Sequence, residues 1–359
     1  MKPTLKQSMF RWLDDRLDIQ PLVDMMDHKK VPIHSHTIWY YMGGVTLFLF
    51  LVQVFTGILL LMYYRPGEES AFESMQFILT EVKFGWLFRN VHAWSANLMV
   101  LFAFIHMFSV VFTRAFTTPR ELTWISGFIL LLLAMFFGFS GYLLPWNELA
   151  FFATKVGTDI VGAVPIVGEQ LKVIIRGGED VTGATLSRFF GLHVAILPAI
   201  TFLILSFHLL LVQRQGISEP RHFKALPEDK KRYMSFFPDF VLRDALLWLI
   251  INIIVLSLAV FYPWELGLKA DALASAPMGI KPEWYFMFMF QTLKMIPPHV
   301  WFIEGETFGI LLFGGAALLW MAVPFARFRG KQIVDSKWIT ILGVITITYM
   351  VVFTIIGYL

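Results

Sequence analysis

Seven stretches of the chain, 38–62, 91–112, 122–147, 189–212, 245–264, 307–326 and 338–359, contain no Asp, Glu, Lys or Arg. At a helical rise of about 1.5 Å per residue, each is long enough to cross a hydrocarbon layer of roughly 30 Å. Backbone N–H and C=O groups find no partners in lipid, so only helices or closed barrels can cross it. A barrel strand would need about 10 residues of alternating character, whereas these runs are continuously apolar. The expected fold class is therefore all-α: a polytopic membrane bundle of seven transmembrane helices, here called the first to seventh spans. A composition of 57% hydrophobic and 15% charged residues excludes an ordinary soluble domain.

The connections between spans alternate in charge. Of the 29 Lys and Arg, 19 fall on the side holding the N-terminus and 10 on the other. The N-terminus is thus expected in the cytoplasm of a bacterial cell, with the chain multi-pass in the inner (plasma) membrane. The opening MKPTLKQSMFRWLDDRLDIQ lacks the layout of a cleaved signal, and none is expected. Its Phe10, Leu13, Leu17 and Ile19 alternate with Arg11, Asp14, Asp15, Arg16 and Asp18, as in a helix lying on a membrane surface. There is no cysteine, which excludes disulfides, thiolate metal sites and iron–sulfur ligation by this chain. The basic stretch QRQGISEPRHFKALPEDKKRY suggests two domains, 1–218 with the first four spans and 219–359 with the last three. The apolar WYFMFMFQTL (284–293) is too short to cross and is expected at the outer interface.

Two spans carry two histidines each. His92 and His106 lie 14 apart on the second span, and His193 and His208 lie 15 apart on the fourth. At about 100° per residue, 14 steps fall about 40° short of four turns and 15 steps pass them by about 60°, so each pair shares a face. The two spans run in the same direction, which places His92 and His193 near the outer boundary and His106 and His208 near the inner one. Facing imidazoles at one depth form a bis-axial ligand set for a haem iron. The four histidines are accordingly the expected metal ligands of two haem b groups, within a four-helix dihaem core.

Glycines repeat the period: Gly43 and Gly57 on the first span, Gly127 and Gly141 on the third, are again 14 apart. A flat macrocycle wedged between helices needs close backbone approach, which glycine permits; ordinary small-residue packing is the competing reading. Haem propionates require cationic partners at the boundary. Arg89 and Arg188 at the outer end and Arg114 and Arg214 at the inner end are the candidates, and the same four could equally be interfacial anchors.

The segments GWLFRNVHAWSA, PRELTW, FSGYLLPW, TLSRFFGLH, RQGIS and KPEWYF run through almost the whole chain. With the histidine constellation they resemble the cytochrome b subunit of Rieske/cytochrome b quinol-oxidising complexes. The resemblance is closest to the plastid and cyanobacterial branch, which shares the 15-residue spacing but splits off its last three helices as a separate subunit; here the two parts are fused. It implies that Pro282, Glu283, Trp284 and Tyr285 form an outer quinol-oxidation site in which Glu283 takes a proton from the quinol. Elementary electrostatics agrees, since a carboxyl in an apolar segment has a raised pKa. Tyr142 and Trp146 are candidates to line the same pocket or to belong to an aromatic belt. FFPDFVLRDALL resembles the segment bordering the inner quinone-reduction site, with Arg243 and Asp244 at the matching positions; charged residues there are also ordinary helix-end anchors. Tyr41 stands where the plastid branch carries a cysteine that attaches an extra haem. Covalent attachment is thereby excluded, while a non-covalent extra haem near the inner site stays open. Gln213 stands where the mitochondrial branch has a histidine.

The resemblance implies a quinol:cytochrome c (or related acceptor) oxidoreductase. Quinol is oxidised outside, one electron passes to a Rieske iron–sulfur protein, and the other crosses two b haems to a quinone at the cytoplasmic side, building a proton gradient. Implied partners are the Rieske protein, a c-type cytochrome subunit, quinol and quinone, the lipid membrane and a second copy in a homodimeric complex; no nucleic acid is expected. Two rivals stand beside this: the dihaem membrane anchor of a dehydrogenase or hydrogenase, and a transporter with a histidine proton relay. His28, His34, His36, His222 and His299 lie outside the spans and are read as interfacial.

Overall fold

The computed structural model describes residues 4–328, 331–332 and 337–359. Lys2 and Arg329, which enter the charge asymmetry, lie outside the described residues. The seven apolar runs all appear as helices: α3 (Met42–Leu61), α5 (Gly85–Thr113), α6 (Glu121–Tyr142), α9 (Gly183–Gly191) continuing into α10 (Leu197–Gln215), α12 (Val241–Phe261), α14 (Gly305–Met321) and α15 (Trp338–Tyr358). Six of these reach crossing length, and α14 is the shorter seventh at 17 residues, followed by a 3-10 turn at Val323–Phe325.

The remaining helices lie at the ends of the bundle. α1 (Leu5–Leu17) opens with a capping box in which Gln7 N donates to Thr4 Oγ1 and Thr4 N to Gln7 Oε1. It buries none of its residues and leaves Leu5, Met9, Trp12 and Leu17 exposed, as a helix resting on a membrane requires. α2 (Gln20–His28) and the one-turn α11 (Arg221–Lys224) share the inner end, where β1 (Lys30–Pro32) pairs antiparallel with β2 (Tyr233–Ser235) and ties the entry of the first span to that of the fifth. At the outer end lie α4 (Ala71–Thr80), α7 (Glu148–Gly162), α8 (Gly168–Arg176) and α13 (Trp284–Met295).

Packing divides by depth. Val45, Leu49, Val91, Met99, Ile251, Val255 and Ala259 join α3, α5 and α12, while Val100, Leu131, Met135 and Tyr285 join α5, α6 and α13. A third cluster around Leu143, Trp146, Phe151, Leu186 and Phe189 caps the outer end. Within that cap the buried guanidinium of Arg176 is fully engaged. It donates to Thr158 Oγ1 at 2.7 Å, and to Asp159 Oδ1, Lys155 O and Glu179 O at 2.8 Å each. A buried charge survives only when paired and hydrogen-bonded in this way.

One departure from regular winding bears on the site. Between α9 and α10 the chain runs through a π turn at Leu192–Ile196, closed by Leu197 N donating to Leu192 O. Pro198 lies just beyond; it lacks an N–H and crowds the carbonyl four residues earlier, and a widened turn relieves both. Four steps of this turn lie beyond His193 and lose about 70° of rotation, so the 15-residue step from His193 to His208 ends about 10° short of four turns rather than about 60° past them. That brings it closer to the step between His92 and His106.

Candidate functional site

The four imidazoles and the four period-14 glycines meet one to one. A Cβ on Gly57 would stand 3.4 Å from His92 Cε1, one on Gly43 3.0 Å from His106 Cε1, one on Gly141 2.7 Å from His193 Cε1 and one on Gly127 3.1 Å from His208 Cε1. The first span thus backs both imidazoles of the second, and the third span backs both of the fourth. The expectation that these glycines admit a flat group by close helix approach takes a specific form: each makes room for a histidine ring, turning its edge into the bundle.

Hydroxyls that the sequence reading did not single out complete three of the cradles. The residue before the glycine is Thr56, Ser126 or Ser140, and its oxygen lies 2.9, 3.0 and 3.0 Å from Nδ1 of His92, His208 and His193 respectively. Each hydroxyl also donates to a carbonyl of its own helix, Thr56 to Val52 O at 2.6 Å, Ser126 to Thr123 O at 3.1 Å and Ser140 to Phe137 O at 3.2 Å. A hydroxyl that keeps its proton on that carbonyl accepts from the ring, and in that pairing Nδ1 carries the hydrogen and Nε2 is the bare donor nitrogen. That is the tautomer a metal ligand bound through Nε2 requires. The signal was present as Thr-Gly and Ser-Gly dipeptides at 56–57, 126–127 and 140–141.

The rings of His92 and His193 have centroids 6.4 Å apart. With metal–nitrogen bonds of about 2 Å and about 1 Å from nitrogen to ring centre, two imidazoles across one metal stand about 6 Å apart. Among the described residues no group of three or more His, Cys, Asp or Glu could hold a metal ion. The paired imidazoles, the absence of a third ligand beside them among the described residues and the glycine cradles are a donor set that would fit a haem.

Outside this core, Glu283 immediately precedes α13, its carbonyl accepting from Phe286 N at 2.9 Å. Burial pushes its carboxyl above the ordinary range. Tyr285 is 4% exposed, and burial, then the charges of Glu283 and Tyr142, drive its phenol strongly upward. A Cβ on Gly138 of the third span would overlap the Tyr285 hydroxyl, so this glycine, unremarked in the sequence, seats the tyrosine against the core. Trp284 donates its indole N–H to Asn97 Oδ1 at 2.9 Å, fixing α13 to the second span. Pro282 is half-buried beside them. Of the two aromatics proposed to line this region, Tyr142 is near enough to Glu283 and Tyr285 for their charges to act on one another, whereas Trp146 is 2% exposed inside the outer cap, edge-on to Phe151.

At the inner end Thr37, Ile38, Tyr41, Arg243 and Leu247 line a cleft of about 330 Å³. Tyr41 stacks on Phe240 with centroids 4.5 Å apart. Asp244 packs against Gly44, where a Cβ would lie 2.7 Å from Oδ1, and that oxygen is buried with no hydrogen-bond partner among the described residues. The Gly43–Gly44 pair therefore serves two groups, a core imidazole and a carboxylate beside the cleft. Beside the same entry His34, His36 and His222, which sequence alone could not bring together, stand with centroids 5.3–6.2 Å apart. His34 Nε2 lies 2.9 Å from Tyr40 Oη. Burial, then the neighbouring His222 and His36, holds the His34 pKa below the ordinary imidazole range.

The four candidate arginines lie near the ends of α5, α9 and α10. Arg89 donates to Trp264 O and Asn90 Oδ1, and Arg188 to Ile174 O. Arg114 ends α5 in a left-handed conformation and reaches Val111 O at 2.9 Å and Thr340 Oγ1 at 2.7 Å. Arg214 is exposed in the last turn of α10. Arg120, which the sequence did not single out, donates to Gln215 O at 3.0 Å.

Comparison with known proteins gives a consistent set of relatives. Residues 27–216 match the family described as cytochrome b/b6/petB, and residues 269–359 the family described as cytochrome b (C-terminal)/b6/petD. The chain is 47% identical over 354 residues to the cytochrome bc complex cytochrome b subunit of Chlorobaculum thiosulfatiphilum, covering 98% of this chain and 81% of that protein. It is 47% identical over 212 residues to cytochrome b6 of Synechococcus sp. (strain JA-3-3Ab), covering 59% of this chain and 98% of that one. A solved structure titled hyperthermophilic respiratory Complex III superposes with a TM-score of 0.85 at 30% identity, covering 97% of this chain and 91% of the other.

Proposed function

Because this chain belongs to the cytochrome b/b6 family and is the multi-pass, redox-active cytochrome b of a bc-type complex, we propose that it holds two b haems in its four-helix core and works as a quinol oxidoreductase. The family implies haem b; the number and the ligands are our reading. His92 and His193 hold the outer group and His106 and His208 the inner one. The observation that carries this is the one-to-one seating of four imidazoles on four glycines, with a hydroxyl oxygen beside Nδ1 on three of them. When bound, the two haems supply one-electron conduction between the membrane faces, which a bifurcated oxidation with one electron sent to a Rieske protein requires. The near-full-length match to a bc-complex subunit displaces the dihaem-anchor and transporter readings.

The chain's own residues then do the following. At the outer side Glu283, raised by burial, accepts the proton of a quinol hydroxyl and passes it outward. Tyr285, seated by Gly138, and Trp284, tied to Asn97, hold that segment against the core, and Pro282 precedes it without an N–H to satisfy. At the inner cleft Arg243 and Asp244 flank a quinone, and the unpartnered Asp244 Oδ1 is placed to deliver a proton from the cytoplasm. Arg89, Arg188, Arg114 and Arg214 are the cationic candidates for propionates at the two boundaries. Proton release outside and uptake inside follow, with a c-type cytochrome beyond the Rieske protein, a second copy completing the complex, and the N-terminus in the cytoplasm of a bacterial inner membrane. A non-covalent extra haem beside Tyr41 stays open, and the haem count below tests it.

A pyridine haemochrome assay on purified protein tests the frame. Two haem b per chain is the expected result, three would reveal the extra group, and none would end the reading.

A further inference from the structure

The residue before each cradle glycine is Thr56, Ser126 and Ser140 in three cases and Met42 in the fourth. His106 also meets its glycine with Cε1 nearest, at 3.0 Å from a Cβ on Gly43, but Nε2 follows at 3.3 Å and Nδ1 at 3.4 Å, whereas in the other three rings Nδ1 is the nearer nitrogen. His106 Nδ1 is buried with no hydrogen-bond partner among the described residues. The nearest hydroxyl on its own helix, Ser109, is turned to the His106 carbonyl at 2.7 Å. The Met42 thioether is at best a weak acceptor, and this side chain is itself buried at 8% exposure.

We propose that Met42 is a tuning position: by withholding the hydroxyl that backs the other three imidazoles, it makes His106 the weakest electron donor of the four and raises the potential of the inner haem relative to the outer one. This rests on the four-histidine haem reading above. A ring N–H that donates to an acceptor gains electron density, and its opposite nitrogen becomes more basic, which stabilises the ferric iron it binds. Three ligands have that support and one lacks it, so the haem held by His106 is easier to reduce. Electron transfer from the outer to the inner side then runs downhill through a difference written into one residue of the first span.

The test is a potentiometric titration of the two b haems in the assembled protein, with haem content measured first. Met42→Ser places a hydroxyl in the register used by Thr56, Ser126 and Ser140. The inner haem should then show a ferric-to-ferrous ratio about threefold higher at a fixed potential, roughly 30 mV at 59 mV per decade for one electron, with the outer haem unmoved. Met42→Ala, which changes packing without adding an acceptor, should leave the inner potential where it was. The converse change, Thr56→Val, should raise the outer potential by a similar factor, and Thr56→Ser should restore it. Two haems retained with no shift in Met42→Ser, or an equal shift in Met42→Ala, would overturn the proposal while leaving haem ligation intact. Wild-type protein without two b haems would overturn the ligation itself. If Met42→Ser does not assemble, the Thr56 pair decides: an unmoved outer potential in Thr56→Val sinks the idea.

Discussion

At the outer end of the four-helix core both imidazoles lean on hydroxyls and the surroundings are closed by a packed cap. At the inner end one imidazole lacks a hydroxyl, a buried carboxylate oxygen lacks a partner, and a cleft of about 330 Å³ stays open beside Tyr41 and Arg243. Satisfied polar groups fix one geometry, whereas unsatisfied ones mark places where a ligand or a proton is accommodated. On the proposed reading, the difference teaches that one ligand motif, repeated at two depths, is adapted to its side by the residues next to it rather than by the ligands themselves.

The largest expected effect separates the two ends outright. His193→Leu should remove the outer haem and His208→Leu the inner one, each leaving one haem per chain by haemochrome assay and abolishing quinol-driven turnover. Loss of both haems from either substitution would show that the ends are not independent units. Next, Glu283→Gln should slow quinol oxidation by about 100-fold, within the range for a removed general base, while both haems and their spectra persist. In the wild type the burial-raised carboxyl must be ionised to accept a proton. The oxidation rate should therefore rise with pH through that raised value and fall as acid protonates the group, a dependence that the Gln variant should lose.

Smaller effects sharpen the comparison. The Cβ clearances rank the cradle glycines, so alanine should be worst tolerated at Gly141 (2.7 Å), then at Gly43 (3.0 Å) and Gly127 (3.1 Å), and best at Gly57 (3.4 Å). Overpacking of this kind costs about 1–3 kcal/mol, and haem retention during thermal unfolding would read the order. Last, in the outer cap, Arg176→Ala removes four hydrogen bonds from a buried site and should destabilise the protein. The Arg176→Ala cost comes from the stranded Thr158 hydroxyl and the Lys155 and Glu179 carbonyls, about 1–3 kcal/mol in all, because its carboxylate partner Asp159 is exposed and keeps Lys172. By contrast Asp180→Ala breaks only the exposed pair with Lys155 and should cost less than about 1 kcal/mol. Comparable losses at both positions would argue against the cap as a packed unit.

The spans were legible because lipid leaves a backbone few options. The histidine depths followed from counting along a helix, and the glycines from their matching period. What those glycines do was only half legible: Gly43 and Gly127 announce close approach, but only the fold shows that an imidazole fills the space. Gly44 and Gly138 were missed altogether, because their partners, Asp244 and Tyr285, lie more than a hundred residues away. The Thr56, Ser126 and Ser140 hydroxyls were in plain view, yet a hydroxyl in a membrane helix ordinarily satisfies its own backbone, and only tertiary structure shows the second bond. Arginine partners were out of reach because long cationic side chains choose among many nearby carbonyls.

The widened turn before Pro198 has a consequence for how such chains tolerate changes in length. The fourth span has taken up an odd residue locally, and everything beyond it keeps its orientation. The second span, wound as uninterrupted α-helix from Gly85 to Thr113, has no comparable slack. One residue added between 92 and 106 would swing an imidazole by about 100°, away from its mate. Insertions should thus be admissible in one of these two helices and ruinous in the other, whatever their sequence.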